Sequence, residues 1–186
     1  PGAQPKVSMR PEIAPSFQFN RVDGPVYGAS VGIGRRSRMG RITGRLSYAS
    51  GPNDWLGMGE YEKSFRERDA LWVFEARAGR ATMVQDRDFG EPRLGSIRAL
   101  LNGADTRNFL RRDGFATSLQ RETPRWRGRV SYRDANETAI ATSATWNLMN
   151  KPLVVVDNLP ATPGHNHELA YDLSVRLPLL PLTAGP

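Results

Sequence analysis

Residues 114–133 read Gly114-Phe-Ala-Thr-Ser-Leu-Gln-Arg-Glu-Thr-Pro-Arg-Trp-Arg-Gly-Arg-Val-Ser-Tyr-Arg133, two strand-like runs joined at Glu122-Thr-Pro124. In the second run the residue type alternates at every step. Successive side chains on a strand point to opposite faces, so Trp126, Gly128, Val130 and Tyr132 share one face and Arg125, Arg127, Arg129, Ser131 and Arg133 share the other. One face is apolar and aromatic, and the other is cationic. Such alternation suits a soluble sheet wet on one side, or a transmembrane barrel whose apolar face meets lipid and whose polar face lines a lumen.

Working outward, the same pattern recurs. Tyr27, Ala29, Val31 and Ile33 oppose Gly28, Ser30, Gly32 and Gly34, and Ile42, Gly44, Leu46 and Tyr48 oppose Arg41, Thr43, Arg45 and Ser47. Trp72, Phe74, Ala76 and Ala78 oppose Leu71, Val73, Glu75 and Arg77, and Leu169, Tyr171, Leu173 and Val175 oppose Ala170, Asp172, Ser174 and Arg176. A glycine-serine face would under-fill a soluble core, but it suits a water-facing wall or a close backbone neighbour. A short strand around Phe17 and Phe19 precedes the Asp23-Gly24 turn. Residues 55–65 change phase between Leu56 and Met58 and Tyr61 and Phe65, which predicts a bulge near Gly57 or Gly59.

Two intervals break the period. Residues 80–113 carry Leu94, Ile97, Leu100 and Leu101 at helical spacing and read as a long loop with a short helix. Residues 134–167 read as a second irregular stretch, with a strand possible over 140–148 and a short apolar run at 153–156. The fold class that follows is all-β: an antiparallel up-and-down barrel of the outer-membrane, transmembrane type with about eight strands. It occupies residues 16–178, between an irregular arm at 1–15 and an irregular tail at 179–186.

The chain has 186 residues, enough for one domain or a modest barrel, and a net charge of +7 that invites a polyanion or an anionic surface. It has no cysteine, which removes disulfides, thiol nucleophiles and thiolate-bound metal. The arginine face gathers Arg41, Arg45, Arg77, Arg125, Arg127, Arg129, Arg133 and Arg176. It reads as a lumen lining or a polyanion-binding surface, or, more simply, as the cationic half of cross-strand ion pairs with Glu60, Glu75, Glu122 and Asp172. Trp55, Trp72, Trp126 and Tyr132 read as membrane-interface aromatics. His165 and His167, with Glu168, suggest metal ligation, but a surface loop is the simpler reading, so no metal site and no cofactor are expected. No serine is framed by a base and a nucleophile elbow, and Gly32-Ile-Gly34 opens no helix, so no enzyme activity is expected.

Phe19-Asn-Arg-Val-Asp-Gly24, the glycine-rich and arginine-bearing strands after it, and Leu100-Leu-Asn-Gly-Ala-Asp-Thr-Arg-Asn-Phe-Leu-Arg-Arg-Asp-Gly-Phe115 together resemble the barrel of bacterial outer-membrane surface-antigen proteins related to the BamA-type assembly family. In that family a Glu stands where this chain has Asp23, and its barrels hold more strands. The resemblance implies a non-catalytic surface antigen or transport and assembly module in the bacterial outer membrane. Its partners would be outer-membrane lipid or lipopolysaccharide, and other barrel strands or a larger assembly. The alternative is a soluble antiparallel β domain whose arginine face binds nucleic acid or another polyanion.

Overall fold

The protein is seen in a computed structural model that describes residues 10–36, 39–84, 92–105, 107–144, 146–150, 154–155 and 163–176. Alternating residues do form strands: β1 (Glu12–Asn20), β2 (Gly24–Arg35), β3 (Gly40–Ala49), β4 (Asp54–Glu67), β5 (Ala70–Val84), β6 (Ala104–Asp105), β7 (Phe109–Glu122), β8 (Trp126–Ala139), β9 (Val154–Val155) and β10 (Gly164–Val175). Eight of them make one sheet in the order β1-β2-β3-β4-β5-β7-β8-β10, every neighbour antiparallel. This is the up-and-down order that the alternation predicts. The sheet is open, since β1 and β10 each pair on one side only. Helix α1 (Pro92–Asn102) forms where leucine spacing requires it, and β6 and β9 add a two-residue parallel pair.

Several boundaries move. β1 starts at Glu12, inside the expected arm, and contains Pro15; an edge strand tolerates the missing N–H. β4 keeps one register from Asp54 to Glu62 against β3 and from Gly57 to Glu67 against β5, so it has no bulge. Trp55 therefore shares a face with Tyr61 and Phe65, and Leu56 lies opposite, buried with Val26 and Ala49. β8 runs on to Ala139, well into the expected irregular stretch, and residues 140–144 and 146–150 contain no strand. The apolar run at 153–156 is described only at Val154 and Val155, and the tail at 179–186 lies outside the described residues.

The two ends of the sheet differ. Residues 68–69 and 123–125 make short turns at one end, where β2 also ends and β3 begins, while the connections 85–108 and 140–163 both leave from the other, which also carries the turns at 21–23 and 50–53. Helix α1 lies within the first long connection and packs on β1, where Phe19, Ala99 and Ala144 form a small cluster bordered by Leu100.

Candidate functional site

The alternation divides the sheet into two faces with opposite chemistry, and the apolar one is exposed. Ile42 is 61% exposed, Leu46 57%, Trp55 60%, Leu169 75% and Tyr171 68%. Cross-strand aromatic pairs stud this face: Phe17 with Tyr27, Tyr48 with Trp55, Phe65 stacked on Trp72, and Phe115 with Tyr132. Trp72 and Trp126 lie near the short-turn end, and Arg121, two residues beyond Leu119 on the same face, sets its guanidinium 5.2 Å from one ring and 5.3 Å from the other. Tyr132 is mid-strand, yet it closes the apolar run of β8, because Asp134 and Asn136 follow on its face.

On the opposite face the strand arginines meet carboxylates. Arg41 reaches Glu12 two strands away at 2.6 Å, lying over Gly32, whose missing side chain leaves room for the guanidinium. Gly28 on the same face is held against the Leu46 carbonyl and Ser47, where a Cβ would come within 2.6 Å of both. Arg127 and Arg176 converge on Glu122, at 2.9 and 3.4 Å. Arg129 meets Glu75 at 2.9 Å and the Ser118 hydroxyl at 3.0 Å, and Arg133 pairs with Glu168. Arg112, absent from the sequence-based set, pairs with Glu137 at 2.6 Å. Arg45 and Arg77 lie on this face without an ion pair to a described carboxylate. Arg125 lies in the turn just before β8, where its carbonyl accepts from the Arg176 backbone N–H at 2.8 Å and extends the β8–β10 pairing by one residue.

The long-connection end holds a buried polar cluster that sequence alone did not single out. In Asn20-Arg-Val-Asp-Gly24 the Asn20 side chain accepts from the backbone N–H groups of Val22 and Asp23, at 3.0 and 2.8 Å, and donates to the Asp23 carboxylate at 3.1 Å. Gly24 has a φ of 64°, which lets the chain turn directly into β2. The Arg111 guanidinium bonds Asp23 at 3.1 Å and Thr82 at 2.6 Å, and the ion-pair side chains are 7% and 1% exposed. Asp105 accepts from the Arg21 backbone N–H at 3.4 Å and pairs with Arg107 at 2.8 Å, while the Arg21 side chain donates to the Arg107 carbonyl at 2.8 Å. The backbone N–H groups of Ser143 and Ala144 both donate to the Arg21 carbonyl at 2.9 Å, and the Ser143 hydroxyl donates to that of Val22 at 2.7 Å.

These contacts also report the shape of the sheet. Four strand steps separate β2 from β7, about 19 Å in a flat sheet at about 4.8 Å per step. An arginine and an aspartate side chain do not bridge that distance, so the Asp23–Arg111 bond requires strong curl.

His165 and His167 are not in a loop. They lie in β10, opposite Asn136 and Asp134 of β8, and their rings share a face with the apolar row. Glu168 points the other way, to Arg133, so the carboxylate beside the two imidazoles is that of Asp134. No family model matches this chain, and neither a curated protein nor a solved structure gives a significant match to it.

Proposed function

We propose that this chain is the wall of an outer-membrane β-barrel, or a segment of a larger one, acting as a non-catalytic surface protein or transport and assembly module. The observation that carries the reading is the exposed apolar face. Eight strands at about 4.8 Å across and about six residues at 3.3 Å along give a patch of roughly 40 by 20 Å, about 800 Å². Soluble monomers rarely expose more than a few hundred Å² of contiguous apolar surface. A hydrocarbon layer covers such a face without a second protein sheet, and strands of 9 to 15 residues suffice to cross it.

The stagger of the apolar rows agrees with this. Following paired residues across the sheet from Ile33 leads through Ile42, Tyr61, Ala76, Thr117 and Tyr132 to Leu169. Ile33 is the last apolar residue of its run toward the short-turn end, and Leu169 is the first of its run at the long-connection end. The apolar band thus drifts by about six residues over six strand pairs. One residue per strand corresponds to a strand tilt of about 35°, arctan(3.3/4.8), inside the range of membrane barrels. Short turns at one end, long connections at the other and an arginine between two tryptophans at the boundary fit the same picture.

Closure, on this reading, comes from pairing β1 and β10 with each other or with further strands, and the resemblance to BamA-type surface antigens supplies the second possibility. The polyanion-binding alternative gains less support, because carboxylates already occupy Arg41, Arg127, Arg129, Arg133 and Arg176. The test is to purify the chain with and without detergent and compare strand signal by circular dichroism and heat-modifiable gel mobility. Folding only in detergent or lipid is expected. A monodisperse, strand-rich protein in plain buffer that binds DNA in a salt-sensitive way would overturn the membrane reading.

A further inference from the structure

We propose that Asp134, His165 and His167 form a binding site for a divalent transition metal ion of the zinc class, held by two imidazoles and one carboxylate. Residues i and i+2 of a strand share a face about 6.6 Å apart, and the antiparallel partner of the second stands directly across from it on that face, within side-chain reach of both. The β8–β10 register does this: His167 pairs with Asp134 and His165 with Asn136. His165 Nε2 lies 2.8 Å from Asp134 Oδ1, His167 Nδ1 lies 3.2 Å from Asp134 Oδ2, and one ligand atom from each of the three residues falls within 4.8 Å of the other two. The imidazole rings meet edge to face with centroids 4.6 Å apart.

These separations suit an ion. Ligands at about 2.0 to 2.2 Å from zinc stand about 3.3 to 3.6 Å from one another in tetrahedral geometry. The His167–Asp134 pair at 3.2 Å needs to open by about 0.1 to 0.4 Å and the His165–Asp134 pair at 2.8 Å by about 0.5 to 0.8 Å to admit it, within the reach of small side-chain rotations. The surroundings have the features of a ligand shell. His165 Nδ1 lies 3.2 Å from Asn136 Oδ1, which fixes the ring with Nε2 turned to the carboxylate, as the outer partners of metal-bound histidines do. The Tyr132 hydroxyl sits 3.3 Å from His167 Nδ1 and 3.5 Å from Asp134 Oδ2. Imidazole and carboxylate together favour zinc, nickel, copper or iron over magnesium or calcium.

The site is open. His165 and His167 side chains are 51% and 60% exposed and Asp134 is 23% exposed, so a bound ion keeps positions for water or for a ligand from another molecule. It lies one row beyond Tyr132 and Leu169, where the apolar band of β8 and β10 ends toward the long connections. The inference needs only the β8–β10 pairing and is independent of the membrane reading, so its test runs in whichever medium the chain folds.

The experiment uses the full chain without a histidine tag, stripped with chelator, and titrated with Zn²⁺, Co²⁺ and Mg²⁺ by calorimetry and, for Co²⁺, visible absorption. One Zn²⁺ or Co²⁺ per chain is expected, with no Mg²⁺ heat. His165→Ala and His167→Ala should each abolish binding, Asn136→Ala should weaken it about 10- to 100-fold, and Glu168→Gln should leave it unchanged. His165→Gln and His167→Gln serve as second variants if alanine lowers the strand content. Zinc binding that survives in the double histidine variant, or folded wild-type protein that takes up no zinc, would overturn the proposal and leave the three side chains as a hydrogen-bonded surface cluster.

Discussion

Val130→Arg tests what covers the apolar face. Val130 sits near the middle of the apolar run of β8, between Leu119 of β7 and Tyr171 of β10, and is 47% exposed. In a water-facing sheet an arginine there swings outward, and the change stays within about 0.5 kcal/mol, as for ordinary surface substitutions. In a bilayer the same position is near the midplane, where a cation on the lipid face of a barrel costs about 2 to 4 kcal/mol, falling to about 0 to 1 near the interface. Trp126→Arg, four residues toward the short-turn end, loses a ring but places its charge at that interface. Phe65→Arg, opposite Trp72 at the same end, is a second boundary control. The assay is reversible urea unfolding in phospholipid vesicles, followed by tryptophan fluorescence. The expected signature is a depth profile in which Val130→Arg and Leu46→Arg cost more than the charge component of the boundary variants. A flat profile, with Val130→Arg within 0.5 kcal/mol of wild type, would refute the assignment of this face to lipid.

Other variants probe the buried end and the polar face. Asp23→Asn removes the nearer carboxylate of the buried Arg111 and leaves it only Asp54 at 3.9 Å, so it should cost up to about 3 to 5 kcal/mol by urea unfolding, with Asp23→Leu/Arg111→Met recovering most of it. Gly51→Ala puts a methyl on the Ser143 hydroxyl and 2.9 Å from the Asp23 carbonyl, so it should cost about 1 to 3 kcal/mol and speed proteolysis within residues 140–144. Glu12→Gln breaks an exposed pair with Arg41, side chains 73% and 37% exposed, and should shift stability by under about 1 kcal/mol in the same assay, an effect that fades in high salt.

Where one face was uniformly apolar, the sequence could be read as strands. β2, β3, β5, β8 and β10 were legible for that reason. β4 was not, because Gly57 and Gly59 lend the apolar face no side chains and Lys63 interrupts it, so Leu56 and Met58 on the opposite face looked like its continuation. The end of β8 was hidden for a related reason. From Asp134 onward the formerly apolar face carries Asp134, Asn136 and Thr138 while the other carries Ala135, Glu137 and Ala139, so the apolar alternation disappears from the letters while the hydrogen-bond ladder continues to Ala139. That same extension, with the start of β10 at Gly164, brings the histidines onto a strand beside Asp134. The arginine face was legible as a face, but its partners depend on register: Arg41 reaches Glu12 across 29 residues and Arg129 reaches Glu75 across 54.

The buried polar cluster was illegible because its contacts span 84 to 121 residues, from the β1–β2 turn to segments beyond β5 and β8. Its trace in the sequence is Asn20-Arg-Val-Asp-Gly24, where a turn meant only for solvent has no need of a valine between two charges. Among the described residues Val22 and Asp23 of this turn are buried to 0% and 1%, with Phe19 and Arg21 beside them at 2% and 3%, whereas most large apolar side chains on the apolar face of the sheet stay exposed. The turn is therefore a buried, hydrogen-bonded anchor for described residues of both long connections. The sheet contributes its ladders but hides few of its large apolar side chains. Backbone ordering costs about 1 to 2 kcal/mol per residue, and hydrogen bonds traded with water return about 1 kcal/mol each, so ladders alone do not hold such a sheet. On the proposed membrane reading, the lipid that covers Ile42, Leu46, Val130 and Leu169 supplies the remaining free energy, so the sheet should fold only in apolar surroundings, the outcome that the comparison with and without detergent checks.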